Sequence, residues 1–339
     1  ASKGETGDNP GTGNVGTGGG GGGGGTVVQC TAGTVEVPLG TGAACQISGT
    51  ITQNMTLTAN NTYLLNGKVT IGQETQSDGT GGTRVNLEIQ PGTTVAGLDE
   101  NSFLVIARGS TIDADGSVGQ PIIFTSAADI LRGFNAGAEA LSEAFTSEWG
   151  GIVVNGLATI NGCVSGICEA DGEGDSGKYG GIDDNDSSGT MRYVQVKYAG
   201  NPITDDDELN GIAFEGVGRG TTLDFIHVHN GADDGVEFFG GTADIKHLII
   251  TGADDDSLDW TKGWRGRAQH VLIMQNDNQS ASDQGIEADN NGNDNDATPF
   301  AQPTLSNVTI IGGDVRGDIG MLLREGTGAK IYNTVVTNF

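Results

Sequence analysis

Short β-branched segments recur through the second half of the chain, with no helical period between them. They read YVQVKY (193–198), FIHVHN (225–230), HLIITG (247–252), VLIMQN (271–276), VTIIGG (308–313) and NTVVTN (333–338), with starts 32, 22, 24, 37 and 25 residues apart. A repeat of 20-odd residues is the period of a solenoid, and the longer intervals carry inserted loops. A second column follows in most turns: GIAF (211–214), GVEF (235–238), SLDW (257–260), GIEA (285–288) and GMLL (320–323). Each opens on Gly or Ser, which suits a bend between flat faces. Alternation with period two then turns the second and fourth residues inward. Ile212, Val236, Leu258, Ile286 and Met321 are expected in one internal row, and Phe214, Phe238, Trp260, Ala288 and Leu323 in another.

The first half repeats this texture less regularly, in NLEIQP (86–91), FLVIAR (103–108), PIIFTS (121–126) and GGIVVNG (150–156). Short strands, bends at Gly and Asn, and no helix between strands predict an all-β chain, a right-handed parallel β-helix. Ten to twelve turns at about 4.8 Å each give a rod of about 50–60 Å. One segment differs: residues 127–148 read as a helix or long excursion. Residues 1–25 hold 13 Gly, eight of them consecutive from Gly18, and read as a flexible tail or assembly arm before a β-helix over 26–339.

Composition narrows the function. The chain carries 44 acidic and 16 basic residues, a net charge of −28, which argues against nucleic acid as a partner. No apolar run is long enough for a transmembrane helix. Gly accounts for 60 of 339 residues, which argues against a helical bundle. The four Cys fall in two local pairs, Cys30 with Cys45 and Cys163 with Cys168, as two small disulfide loops would in an oxidising compartment. The lack of a signal peptide is then read as a mature form.

The chemistry is concentrated in three successive turns, ADDGVEF, DDDSLDW and SDQGIEA. Stacked, they align Asp233, Asp255 and Asp283 (continuing to Asp318), then Asp234, Asp256 and Gln284, then Glu237, Asp259 and Glu287. Carboxylates one rung apart repel by about 3–4 kcal/mol at an effective dielectric near 20. A bound cation or raised pKa values relieve this. Ca2+, with six to eight oxygen ligands, is the expected cofactor; a solvated acidic face is the competing reading. Asp183, Asp184 and Asp186 in DDNDSSG (183–189) form a second calcium-loop candidate without the EF-hand Glu. ADNNGNDND (288–296) and TDDDE (204–208) are weaker ones. His227 and His229 share one side of a strand, more in the manner of a surface pair than of a metal site.

The runs LVIARGSTIDADG…QPIIFTS, WGGIVVNG and NGADDGVEFFGGTADIKHLIITGADDDSLDWTKGW resemble uncharacterised bacterial extracellular, lipoprotein-like proteins with right-handed β-helix repeats. A looser, fold-level similarity is to pectate lyases and polygalacturonases. The resemblance implies an extracellular or cell-surface bacterial protein and no settled activity. β-Helix lyases bind calcium on stacked carboxylates and use a basic residue as proton acceptor, for which Lys262, Arg265 and Arg267 are near Asp259. Trp264 is a candidate for stacking on sugar. The polygalacturonase pattern is incomplete, since no G-H-G or R-I-K accompanies the Asp pairs, so no catalytic residue is assigned. The expected function is a calcium-stabilised structural or binding module that self-assembles head to tail into filaments, because the chain stops at Phe339 in a strand-like segment. The alternatives are a monomeric glycan or ligand receptor, and a polysaccharide lyase or hydrolase.

Overall fold

The computed structural model describes residues 29–133, 145–163, 168–204, 207–276, 284–313 and 319–339. The Gly-rich tail, Asp283 and Asp318 lie outside these residues. Within them the chain is a parallel β-helix, and parallel strands repeat from rung to rung.

Period-two alternation builds the first face. Its strands are Phe103–Ile106, Gly151–Asn155, Ile212–Glu215, Val236–Phe239 and Leu258–Thr261, each paired in parallel with the next. Leu258 continues to Ile286, and Glu287–Ala288 to Leu322–Leu323. Both expected internal rows form: Ile212, Val236, Leu258 and Ile286 are buried, as are Phe214, Phe238, Trp260 and Ala288. The outermost described rung departs. Met321 is half-buried and Leu323 is 49% exposed, because an inward side chain is covered only by the rungs on either side. Apolar burial of this kind contributes about 1.5–3 kcal/mol per large side chain.

The remaining wall is built from longer strands: Gly189–Lys197, Thr222–His229, Ile245–Thr251, Arg267–Met274, Thr304–Ile311 and Lys330–Thr337. Each begins two to four residues before the apolar segment read from sequence, because each bends at one residue that drops out of the pairing register. Those residues are Tyr193, Phe225, His247, His270, Asn307 and Asn333, all with φ between +48° and +61°. Left-handed backbone costs a side chain other than Gly or Asn about 1–2 kcal/mol. Part of this is recovered by stacking, worth about 0.5–1.5 kcal/mol per ring pair. Tyr193 lies on Phe225 with centroids 4.4 Å apart, Phe225 on His247 at 4.2 Å, and His247 beside His270 at 4.9 Å.

Gly supplies the bends that no side chain fits. Gly151 has φ +91°, and a Cβ there would overlap the carbonyl oxygen of Asn210 on the next rung. The expected excursion starts as a helix, Ala127–Arg132, capped by Ser126 and ended by Gly133 at φ +80°. Gly133 confines this helix to six residues; residues 134–144 lie outside the described set. Arg132 and Lys197 anchor it through Glu148 and Asp129, at 2.6 and 3.2 Å. Both disulfides are present, Cys30–Cys45 and Cys163–Cys168. No described helix is long and apolar enough to cross a membrane.

Candidate metal centre on the stacked acidic turns

The parallel register that aligns Ile212, Val236, Leu258 and Ile286 also aligns the residues around them. One residue after the core row, Glu237 pairs with Asp259 in the ladder, and the Leu258–Ile286 bridge carries the column to Glu287. Two residues before the same row stand Asn210, Asp234, Asp256 and Gln284. Their backbones are clamped in sequence: Gly211 donates to the Asp234 carbonyl at 2.8 Å, Gly235 to Asp256 at 2.9 Å and Ser257 to Gln284 at 3.1 Å. The side chains add a second clamp. Asp234 accepts the Asp256 N–H at 2.9 Å, and Asp256 accepts the Gln284 N–H at 2.7 Å.

Among the described residues, this stacking brings the carboxylates together in four overlapping triads. Glu208, Asp233 and Asp255 form one, Asp234, Glu237 and Asp259 another, Asp234, Asp255 and Asp256 a third, and Asp256, Asp259 and Glu287 the fourth. Within each triad one oxygen per residue lies within 4.8 Å of the others. At that separation each pair of charges repels by about 3 kcal/mol at an effective dielectric near 20. Among the described residues, Asp234, Glu237 and Asp259 form no ion pair. Arg324 neutralises the far end of the ladder instead, holding Glu287 and, at 2.9 Å, Asp289.

Burial and mutual repulsion therefore act on the protons. Burial first, then the charges of Glu208 and Asp255, pushes Asp233 up to about 8. Asp234, Glu237 and Asp259 are raised well above the carboxylate range, by burial first and then by neighbouring acids. Asp289 rises to about 7 through burial and Glu325. Such a site holds either protons or a cation.

The donor set suits a hard cation. Among the described residues, three buried acceptors at this site have no hydrogen-bond partner: Asp259 Oδ1, Asn210 Oδ1 and Gln284 Oε1. Asn210 donates its amide hydrogens to Glu237 and Glu173 at 2.9 and 2.8 Å, so its oxygen is the atom left over. Carboxylates with neutral carbonyl oxygens make up the all-oxygen shell that calcium takes. Asn210 and Gln284 were not among the residues picked out as ligands in the sequence. Their signal was position alone, two residues ahead of the buried row.

Other sequence candidates are placed differently. Asp184 accepts from Thr159 N–H and Oγ–H at 3.1 and 2.7 Å and is held by Arg265 at 2.9 Å. Asp186 accepts the Leu157 N–H at 3.0 Å, and Asp183 caps Asn185 at 2.9 Å. This loop closes against the chain at 157–159 and does not join the carboxylate triads. Loop 288–296 is braced by amides: Asn161 donates to Asn290 Oδ1 at 2.8 Å, and Asn290 in turn donates to the Ala297 carbonyl at 3.0 Å. His227 and His229 both meet Thr251 Oγ1, at 3.0 and 2.8 Å, and His229 is buried rather than a surface residue.

Of the residues considered for lyase chemistry, Trp264, Arg265 and Arg267 are taken up by the fold. Trp264 is wholly buried, stacked on Phe238 at 4.1 Å, with its indole N–H on the Ala243 carbonyl, so it offers no face to sugar. Arg265 holds Asp184, and Arg267 holds Asp244.

The sequence matches a family model described as a pectate-lyase like beta helix domain, over residues 49–339. No curated protein matches it.

Proposed function

The chain belongs to the pectate-lyase-like β-helix family, and from that premise we propose that it is an extracellular binding module of the bacterial cell surface, stabilised by calcium on its stacked acidic turns. The observation that supports this best is the triad of Asp234, Glu237 and Asp259, crowded within 4.8 Å with a buried, unpartnered oxygen on Asp259. An acidic face meant only for solvent would spread its charges into water. The two disulfides fit an oxidising compartment. Binding is favoured over catalysis because Arg265 and Arg267 are engaged in ion pairs and Trp264 is interior.

Isothermal titration of chelator-stripped protein with calcium tests the reading. Wild type is expected to take up calcium, and the Glu237→Gln/Asp259→Asn variant to lose that uptake. Absence of both heat and bound calcium in wild type, checked by elemental analysis, would overturn it. Sizing the same samples tests the head-to-tail stacking expected from the sequence.

A further inference from the structure

The bend that carries the ring stack also opens a groove. Its volume is ≈ 680 Å³, and its lining includes Tyr193, Phe225, His247 and His270. It follows the axis of the β-helix. From Tyr193 to Asn307 the groove spans four rung steps, about 19 Å at about 4.8 Å each. The turn at Ser117 and Val118 lies at the Tyr193 end, where Val118 is 84% exposed.

The backbone at this bend is informative. Asn307 and Asn333 occupy the same position on later rungs, where Asn tolerates left-handed φ. Tyr193, Phe225, His247 and His270 hold that strained conformation with larger rings. Asn at those rungs would avoid the strain that the ring stacking only partly offsets. We propose that the ring stack is retained because this groove binds an uncharged linear polysaccharide. The proposal rests on the reading of the chain as a binding module and does not depend on calcium.

Three observations select that ligand class. No Lys, Arg, Asp or Glu lines the groove among the described residues, and the nearby Asp224 is held by His247 at 2.7 Å. In a chain of net charge −28, a strip without Lys or Arg offers a polyanion no strong cationic anchor, and one without Asp or Glu offers a cationic ligand no carboxylate. The strands beneath are hydrogen-bonded on both sides, so no open edge exists for a peptide to join as an added strand. Finally, Ser117, Gln195, Asn307 and Thr309 place polar groups at intervals between apolar side chains and the rings. A polymer with hydroxyls and apolar faces but no charge matches that pattern.

The test is titration of the calcium-loaded protein with cellohexaose, xylohexaose and mannohexaose, against hexagalacturonate as the charged control. Wild type is expected to bind at least one neutral hexasaccharide. The Phe225→Asn/His247→Asn/His270→Asn variant suits the left-handed bend and is expected to keep its melting temperature while its Kd rises at least about tenfold. Ile249→Asp, a surface change in the groove at a residue 39% exposed, is expected to weaken binding similarly. The proposal fails if no neutral hexasaccharide binds, if only hexagalacturonate binds, or if both variants bind as wild type does. Loss of melting temperature in the triple variant with unchanged binding by Ile249→Asp would make the rings a structural stack only. Repeating the titration with Glu237→Gln/Asp259→Asn separates this site from the calcium reading, since neutral-glycan binding is expected to survive there.

Discussion

The carboxylate of Asp234 accepts the backbone N–H of Asp256, its counterpart on the next rung, at 2.9 Å. Asp256 does the same for Gln284 at 2.7 Å. The acidic column is therefore part of the rung-to-rung scaffold, and the backbone itself holds its charges in register. Removing the acids would release amides, whereas keeping them crowds like charges. A cation between the rungs would resolve that conflict.

Asp259→Asn removes a charge from two triads at once. Without calcium the variant is expected to melt higher than wild type, by a few degrees, because Asn removes the cost of either protonating Asp259 or holding its charge, buried, among neighbouring acids. In calcium its gain in melting temperature is expected to be smaller than that of wild type. Differential scanning calorimetry in both buffers checks the crossover.

Stability of the calcium-free protein is expected to fall as pH rises. Asp233 titrates near about 8 and Asp289 near about 7 when folded, against about 3.9 when unfolded. The folded state thus binds the extra protons, and their contribution is lost through that window at up to about 1.4 kcal/mol per pH unit for each proton. Melting temperatures in chelator from about pH 5 to about pH 9 should decline. In saturating calcium, which binds the deprotonated form, the decline should vanish or reverse.

Gly151→Ala tests the bend. Its φ of +91° and the overlap with the Asn210 carbonyl leave no room for a methyl group. A loss of about 2–4 kcal/mol is expected by denaturant unfolding. Because Asn210 neighbours the acidic column, the variant should also bind calcium more weakly.

Trp264→Ala tests the corrected placement of that indole. A stacked, wholly buried ring is expected to cost about 3–5 kcal/mol when truncated. An exposed sugar platform would cost little. Urea unfolding distinguishes the two.

The sequence made the β-helix legible because each inward row repeats an apolar residue at a fixed place, as Ile212, Val236, Leu258 and Ile286 do. The same alignment made the column of Glu237, Asp259 and Glu287 legible. The bend at Tyr193, Phe225, His247 and His270 was not, because nothing in their chemistry marks left-handed backbone. Four of the six bend residues (all but His270 and Asn307) stood as the first residues of strands that in fact begin earlier. Asn210 escaped notice because its role depends on which of its atoms Glu237 and Glu173 leave over. Trp264 misled because a Trp after a polar turn reads as exposed, and only three-dimensional packing sets it against Phe238. Asp184 read as a calcium ligand until its partner Arg265, 81 residues away, was in place.

The most direct measurement is the calorimetric melting of wild type and Glu237→Gln/Asp259→Asn, each in saturating calcium and in excess chelator. Calcium is expected to raise the wild-type melting temperature by several degrees or more, as an ion bound only to the folded state must, and to leave the variant nearly unmoved. Equal melting of wild type in both buffers, with no calcium found by elemental analysis, would contradict a cation on the stacked turns.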